Sequence, residues 1–294
     1  MAKASFIESR DGHQLFFRER MVEPTASTVV LIHGFAEHSG RYEHVMDALE
    51  AAQINVLACD LRGHGKSQGK RGYIDSFSQY IDDVKAAVDF TKKKYKVKKI
   101  ALLAHSMGAL IATHYAAQYE QNLCALVLSS PLFGIRGDVP KWKTVTGRLM
   151  SRYYPSFSLA NSIRGCDLTH DVKLASSYDQ DPLIIHHVVA RWFTEVQKAY
   201  EEARHIPQHL KIPLLLQLSN VDRIVDDQQS VQWYQKCAMP DKKKLIYDGF
   251  FHEIYNEIEC ARPIADAVNW LKTRDTKRKE PVKIRVEKSQ GVFA

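Results

Sequence analysis

The chain has 294 residues, 45% of them apolar and 26% charged, with a net charge of +7. That is the make-up of an ordinary water-soluble globular protein with one or two domains. No apolar run reaches the roughly 20 residues of a membrane span, and the opening MAKASFIESRDGHQ lacks the apolar core of a secretory signal.

In chain order, HQLFFRER (13–20) alternates in the antiparallel manner and is expected to be an edge strand or hairpin arm. Strand-like runs recur at 28–33 (TVVLIH), 54–60 (INVLACD), 100–105 (IALLAH), 125–130 (ALVLSS), 213–219 (PLLLQLS) and 244–248 (KLIYD). Helical spacing fits 41–52, 77–95, 107–120, 227–237 and 257–272. Strands alternating with helices predict an α/β fold with a mainly parallel sheet covered on both faces. From Pro131 to Leu210 no convincing strand is found, although Trp142, Tyr153, Tyr154, Phe157, Tyr178, Trp192 and Phe193 crowd there. Such a length predicts a helical insertion. The expected division is therefore a core of 1–130 and 211–272, an insertion of 131–210, and a basic tail of 273–294.

The tail holds seven Lys/Arg and three Asp/Glu, so +4 of the +7 lies there. A solvated tail is the first reading of it, and weak attraction to anionic lipid the sharper one. No nucleic-acid-reading motif accompanies the charge, so no nucleic-acid partner is expected. KKKYKVKK (92–99) follows a helical segment, where lysines favour the negative helix end. The five cysteines show no CxxC pairing, and Cys59, Cys124 and Cys260 lie in apolar surroundings. Reduced core cysteines and a cytoplasmic location are expected from that usage.

Chemistry concentrates where the strand IALLA hands over to a helix. AHSMG (104–108) approximates G-x-S-x-G, the sharp turn that lifts a serine hydroxyl out of the sheet. Small residues two before and two after the serine let neighbouring backbone approach; Gly108 fits, and Ala104 departs by one methyl group. A serine hydroxyl needs a base, and the base needs a third group to orient it. Asp222 follows PLLLQLSN, and His252 follows the last strand-like run. Asp226 and Asp227 compete with Asp222 but begin the next helix, where acidic charge complements the helix dipole. His105 should point away from the serine, His114 lies on the helix, and His186 and His187 lie in the insertion. The developing oxyanion needs N–H donors. Met107, just after the serine, and Phe35, in the loop after VVLIHG, are the candidates, with His33 and Gly34 shaping that turn.

HGFAEHSGRY (33–42), CDLRGHGKSQGKRGY (59–73), HSMGA (105–109), YDQDPLI (178–184), VDRIVD (221–226) and GFFHEIYNE (249–257) occur in this order. Together they resemble the monoglyceride lipase and lysophospholipase branch of the α/β-hydrolases, also described as serine aminopeptidase-like hydrolases. The resemblance runs from about Gly12 to Leu271. It implies an α/β-hydrolase fold with a helical cap inserted after the sixth strand, closing over an acyl-chain tunnel. It also implies Ser106 as nucleophile, Asp222 as acid, His252 as base, and Phe35 and Met107 as oxyanion donors. Ala104 and Ala109 stand where that family usually carries glycine.

Rival motifs fail on single residues. DLRGHGKS (60–67) ends like a phosphate loop but has Asp60 in place of the first glycine, so no nucleotide cofactor is expected. HEIYN (252–256) lacks the second histidine of a zinc-protease signature, so no metal is expected. The expected activity is a serine esterase acting on a monoacylglycerol or lysophospholipid, with transient membrane-surface contact through the cap and the basic tail. The alternatives are a short-acyl carboxylesterase, an S33-like peptidase, or a non-catalytic lipid-binding protein. Headgroup, chain length and oligomeric state are not fixed by the sequence.

Overall fold

The computed structural model describes residues 3–23, 26–137 and 141–274. Among the described residues the strands are β1 Lys3–Glu8, β2 Gln14–Arg20, β3 Thr28–Ile32, β4 Asn55–Cys59, β5 Ile100–His105, β6 Leu123–Ser129, β7 Ser158–Ala160, β8 His187–Val189, β9 Leu214–Ser219 and β10 Lys242–Tyr247. The α-helices are α1 Glu43–Ala51, α2 Ser78–Tyr95, α3 Met107–Tyr119, α4 Lys141–Tyr153, α5 Gly165–Leu168, α6 Val172–Gln180, α7 Ala190–Ala203, α8 Asp227–Gln235 and α9 Ala261–Lys272. The main sheet has eight strands in the order β1-β2-β4-β3-β5-β6-β9-β10. β1 and β2 form an antiparallel hairpin, β2 joins β4 antiparallel, and every other pairing is parallel.

The parallel strands inside the sheet are mostly apolar on both faces because both faces are covered, whereas the edge strand β10, with Lys242, Lys243 and Lys244, is only partly buried. In β3, Val30 and Ile32 enter the core formed with α2 and α3, whereas Val29 and Leu31 enter the core formed with α1 and α9. That two-residue period fixes the register, since a slip of one residue would exchange the two sets of side chains. On α3, Gly108 lets the helix lie against β3: an added Cβ would meet the carbonyl oxygens of His33 at 2.3 Å and Ile32 at 2.5 Å.

Three expectations are corrected in detail. The final helix begins at Ala261 rather than 257, because 252–260 forms a chain of turns that carries His252. The segment 131–210 contains strands after all, β7 and β8, which pair antiparallel. Each has three residues, too few to leave a period in the sequence. Among the cysteines, Cys59 and Cys237 are buried while Cys124 and Cys260 are half-buried, and all five are free. The basic tail lies outside the described residues except for Thr273 and Arg274.

The segment between β6 and β9 is tied to loops of the sheet at both ends of its middle portion. The Ile185 N–H donates to the Ala36 carbonyl at 3.0 Å, and His38 Nε2 meets Asp181 Oδ2 at 2.8 Å. Glu253 N–H donates to Leu168 O at 2.9 Å, and Thr169 Oγ1 donates to Asn256 O at 2.7 Å. DLRGHGKS closes around the Asp60 carboxylate, which accepts from the N–H groups of Ser39 and Lys66, each at 2.8 Å. A carboxylate therefore occupies the interior that a phosphate loop would keep open.

Candidate active site

Ser106 stands between β5 and α3 with φ 52° and ψ −118°. A non-glycine residue there is held against its preference, which is the strained turn that presents a nucleophile at a strand–helix junction. The turn is pinned on both sides. Ser106 N–H donates to Ser129 O at 2.9 Å, and Ser106 O accepts from Leu132 N–H at 3.1 Å. Ala104 is fully buried, its strand paired with Ile32 on one side and Leu128 on the other, so the sheet accommodates its methyl group.

The three residues singled out from distant parts of the sequence converge. Ser106 Oγ lies 2.9 Å from His252 Nε2, and His252 Nδ1 lies 2.7 Å from Asp222 Oδ2. Asp222 uses its other oxygen to accept from the N–H groups of Ile224 at 2.8 Å and Val225 at 3.0 Å. All three side chains are buried. The Nδ1–H therefore points at the carboxylate and leaves Nε2 to accept the serine proton. Burial alone would lower the His252 pKa, but the Asp222 charge and hydrogen bond outweigh it and raise the pKa above its ordinary value. Burial opposes ionisation of Asp222 too, yet the histidine and the two N–H donors hold its pKa below the usual value.

Neighbouring histidines take other work. His33 Nε2 accepts from Leu61 N–H at 2.9 Å and its Nδ1 donates to Gly34 O at 2.7 Å, while burial lowers its pKa to about 4. It is a neutral brace for the Gly34–Phe35 turn. His105 bonds Ser129 Oγ at 3.0 Å, and burial drives its pKa well down. His114 Nε2 donates to Ala199 O at 2.8 Å, on α7. His187, in the inserted segment, bonds Arg71 O of the loop after β4 at 3.3 Å. Asp226 caps α8 by accepting from Gln228 N–H, and Asp227 pairs with Arg136.

The two residues expected to supply N–H donors lie beside the serine. Met107 is the first residue of α3, where N–H groups have no acceptor within the helix. Phe35 follows Gly34, whose absent Cβ would lie 3.0 Å from Ser106 Cβ. The Phe35 ring stacks on Trp192 of α7 at 3.8 Å, which fixes the turn from the side of the inserted segment.

The site opens into a cavity of about 300 Å³ whose wall includes Leu132, Ile135, Leu168, Val188, Trp192 and Phe193. Its lining also includes Glu37 and Glu253, a polar pair not singled out from the sequence. Glu37 Oε1 accepts from Gly34 N–H at 2.5 Å and Tyr42 Oη at 2.8 Å; Arg41 reaches Glu253 at 2.5 Å and stacks over the Tyr178 ring. Burial first, and then the Glu253 charge, raise the Glu37 pKa to about 7. The available signal was the four-residue spacing of Glu37 and Arg41 directly after His33–Gly34, together with an acid beside His252. Among the described residues no group of three or more His, Cys, Asp or Glu is arranged to hold a metal ion. No helix among them is long and apolar enough to cross a membrane.

The strand order, the strained serine turn and the bonded Ser–His–Asp set together define an α/β-hydrolase. The chain belongs to the family described as serine aminopeptidase, S33, whose model matches residues 23–259. It is 30% identical over 236 residues to phospholipase YtpA of Bacillus subtilis, covering 79% of this chain and 90% of that one. To the monoglyceride lipase of Homo sapiens it is 29% identical over 273 residues, covering 91% and 90%. It spans 44% of the longer uncharacterized protein YnbC of Escherichia coli, at 31% identity over 86% of this chain. The crystal structure of the Paleococcus ferrophilus monoacylglycerol lipase superimposes with a TM-score of 0.79 at 25% identity, covering 94% of this chain and 100% of that one.

Proposed function

We propose that the protein hydrolyses single-chain lipid esters, monoacylglycerols or lysophospholipids, to free fatty acid through an acyl-enzyme on Ser106. The observation that carries this reading is a bonded serine–histidine–aspartate set at the wall of a cavity that is apolar on most sides. Relatives named monoglyceride lipase and phospholipase support the same class of substrate.

Ser106 Oγ attacks the ester carbonyl carbon while His252 Nε2 takes its proton. Asp222 stabilises the imidazolium through Nδ1–H. The carbonyl oxygen, now an anion, is held by the N–H groups of Phe35 and Met107; losing one such donor typically costs about 10²–10³ in rate. Collapse of the intermediate breaks the bond to the alcohol oxygen, which receives the proton from His252. Water then attacks the acyl carbon, with His252 again as base, releasing the fatty acid and restoring the serine. The segment 131–210 serves as the cap in this scheme, its apolar side lining the acyl site.

Near the serine, Glu37 and Glu253 share one guanidinium, Arg41. Two carboxyl groups against one cation disfavour a bare phosphate beside them, so an uncharged glycerol or a zwitterionic headgroup is the better occupant. A peptidase would need that acidic pair for a substrate ammonium, whereas both carboxyl groups are turned to Arg41. Release of fatty acid, against release of amine from an aminoacyl anilide, separates the two activities. Amine release without fatty-acid release would overturn the lipid reading.

A further inference from the structure

General-base chemistry needs His252 held to within about 0.5 Å, yet the segment 248–257 that carries it is neither helix nor strand. Single bonds along its backbone hold it instead. Ser219 Oγ donates to Phe250 O, Ser130 Oγ donates to His252 O at 2.9 Å, and Glu253 N–H donates to Leu168 O at 2.9 Å. Among these, Phe251 N–H donates to Glu257 Oε1 at 2.7 Å. The catalytic scheme gives Glu257 no work of its own.

Glu257 gathers a second set of contacts. Its side chain is 4% exposed, whereas that of its partner His170, in the turn between α5 and α6, is 44% exposed. Oε1 also accepts from His170 Nδ1–H at 2.9 Å, and Oε2 accepts from the N–H groups of His170 at 3.2 Å and Ile258 at 3.3 Å. A buried carboxylate is tolerated when donors meet its lone pairs, and here four N–H groups do so. The backbone just before His252 and a turn of the inserted segment are thereby drawn to one point.

The side chains repeat the arrangement. The His170 ring stacks on the Phe251 ring with centroids 3.6 Å apart and planes 28° apart, and the Arg223 guanidinium lies 3.7 Å from the same centroid. Both approaches are too close to share a face, so Phe251 is held between the two. Phe251 precedes His252 in the chain, and Arg223 follows Asp222. The stack therefore joins the neighbours of both partners in the 2.7 Å His252–Asp222 bond. Neither His170 nor Glu257 is among the residues lining the cavity, so neither is placed to touch a substrate.

We propose that Glu257 is a positioning residue for His252. By holding the Phe251 N–H and both N–H groups of His170 on one carboxylate, it fixes the histidine's backbone and, through the His170–Phe251–Arg223 stack, its separation from Asp222. The effect on rate rests on the hydrolase reading above; the effect on the His252–Asp222 bond does not.

The test uses the full chain carrying Glu257→Gln, His170→Ala or His170→Asn. Glutamine replaces one acceptor oxygen by an NH2 group, which then faces N–H donors. Asparagine sets its amide nitrogen where His170 Nδ1 stands, keeping the donor without the ring. The first readout is kcat and KM on a water-soluble short-chain ester, per serine titrated to completion with an organophosphonate. Glu257→Gln should lower kcat about tenfold to a hundredfold, the loss that a small misplacement brings, with KM unchanged. His170→Ala should lower kcat by less, and His170→Asn should recover most of that loss. The second readout needs no substrate: the low-field proton resonance of His252 Nδ1–H, identified by its loss in Asp222→Asn, should move upfield in Glu257→Gln and His170→Ala. If Glu257→Gln lowers the melting temperature but leaves kcat per titrated serine or the resonance unchanged, Glu257 only stabilises the fold and the proposal is overturned. His170→Asn no better than His170→Ala overturns it too, and this pair decides if Glu257→Gln does not fold. An unmodified protein that cleaves no ester would overturn the hydrolase reading instead, and the resonance would then decide the positioning alone.

Discussion

At the scale of single residues, two ionisation states govern behaviour. His252 accepts a proton only when neutral, and its pKa is raised, so the acid limb of kcat/KM should lie above the ordinary histidine value of about 6.5. Asp222→Asn removes the charge that raises it and frees the imidazole to adopt the wrong tautomer. A fall in kcat of about 10⁴ is expected, and a limb moved to lower pH in the residual activity. A pH profile of a soluble ester checks both. The Glu37 pKa is also raised, from 4.5 to about 7, by burial and then by Glu253, which for an acid favours the neutral form. The folded protein keeps a proton there that the unfolded chain has released, so stability should decline as pH rises through that window. Glu37→Gln can keep both bonds to Oε1 while losing the titration. Its melting temperature should change less than the unmodified protein's between about pH 5 and about pH 8; equal slopes would contradict the assignment. These shifts were not legible in the sequence. They arise from burial and from partners distant in the chain: Asp222 beside His252, and Glu253, 216 positions from Glu37.

At the scale of elements, the handover from β5 to α3 is where sequence pattern and structure coincide most closely. The change from an apolar run to helical spacing marks a strand end at His105 and a helix start at Met107. The small residues around Ser106 are not equivalent. A Cβ on Gly108 would collide with backbone carbonyls of His33 and Ile32, which no rotamer change relieves. Gly108→Ala should therefore cost about 3 kcal/mol or more, since overpacking that moves backbone lies at the upper end of its usual range. Ala104→Gly, restoring the residue that G-x-S-x-G would carry, should cost only about 0.5–1 kcal/mol in strand stability and leave kcat unchanged. Denaturant midpoints separate the two. β1, β7 and β8 escaped the sequence reading for a shared reason: β1 is an exposed edge strand, and β7 and β8 have three residues each. Short or one-sided strands bury too little to impose a pattern.

At the scale of the whole molecule, the sheet brings Ser106, Asp222 and His252 together from three loops at the carboxyl ends of β5, β9 and β10, where open parallel sheets place their sites. That convergence was legible because each residue follows a recognisable strand-like run, although β10, before His252, is a half-buried edge strand. The cap was legible only as a gap between strands, since the walls of its cavity are scattered over 132–193 and carry no spacing of their own. Burial of each methylene contributes about 0.8 kcal/mol, close to fourfold in binding. With soluble esters of increasing chain length, kcat/KM should rise by about that factor per methylene until the cavity is filled, then flatten. A steady fall from the shortest ester onward would mean that the cavity is not the acyl site.

Fatty-acid release decides the functional reading most directly. Purified protein would be given a monoacylglycerol and a lysophosphatidylcholine of matched chain length, with Ser106→Ala in parallel. Release from at least one lipid, lost in Ser106→Ala, is the expected result. Release that persists in Ser106→Ala would remove the serine from the chemistry, and no release from either lipid alongside cleavage of short-chain esters would make the protein a general esterase instead.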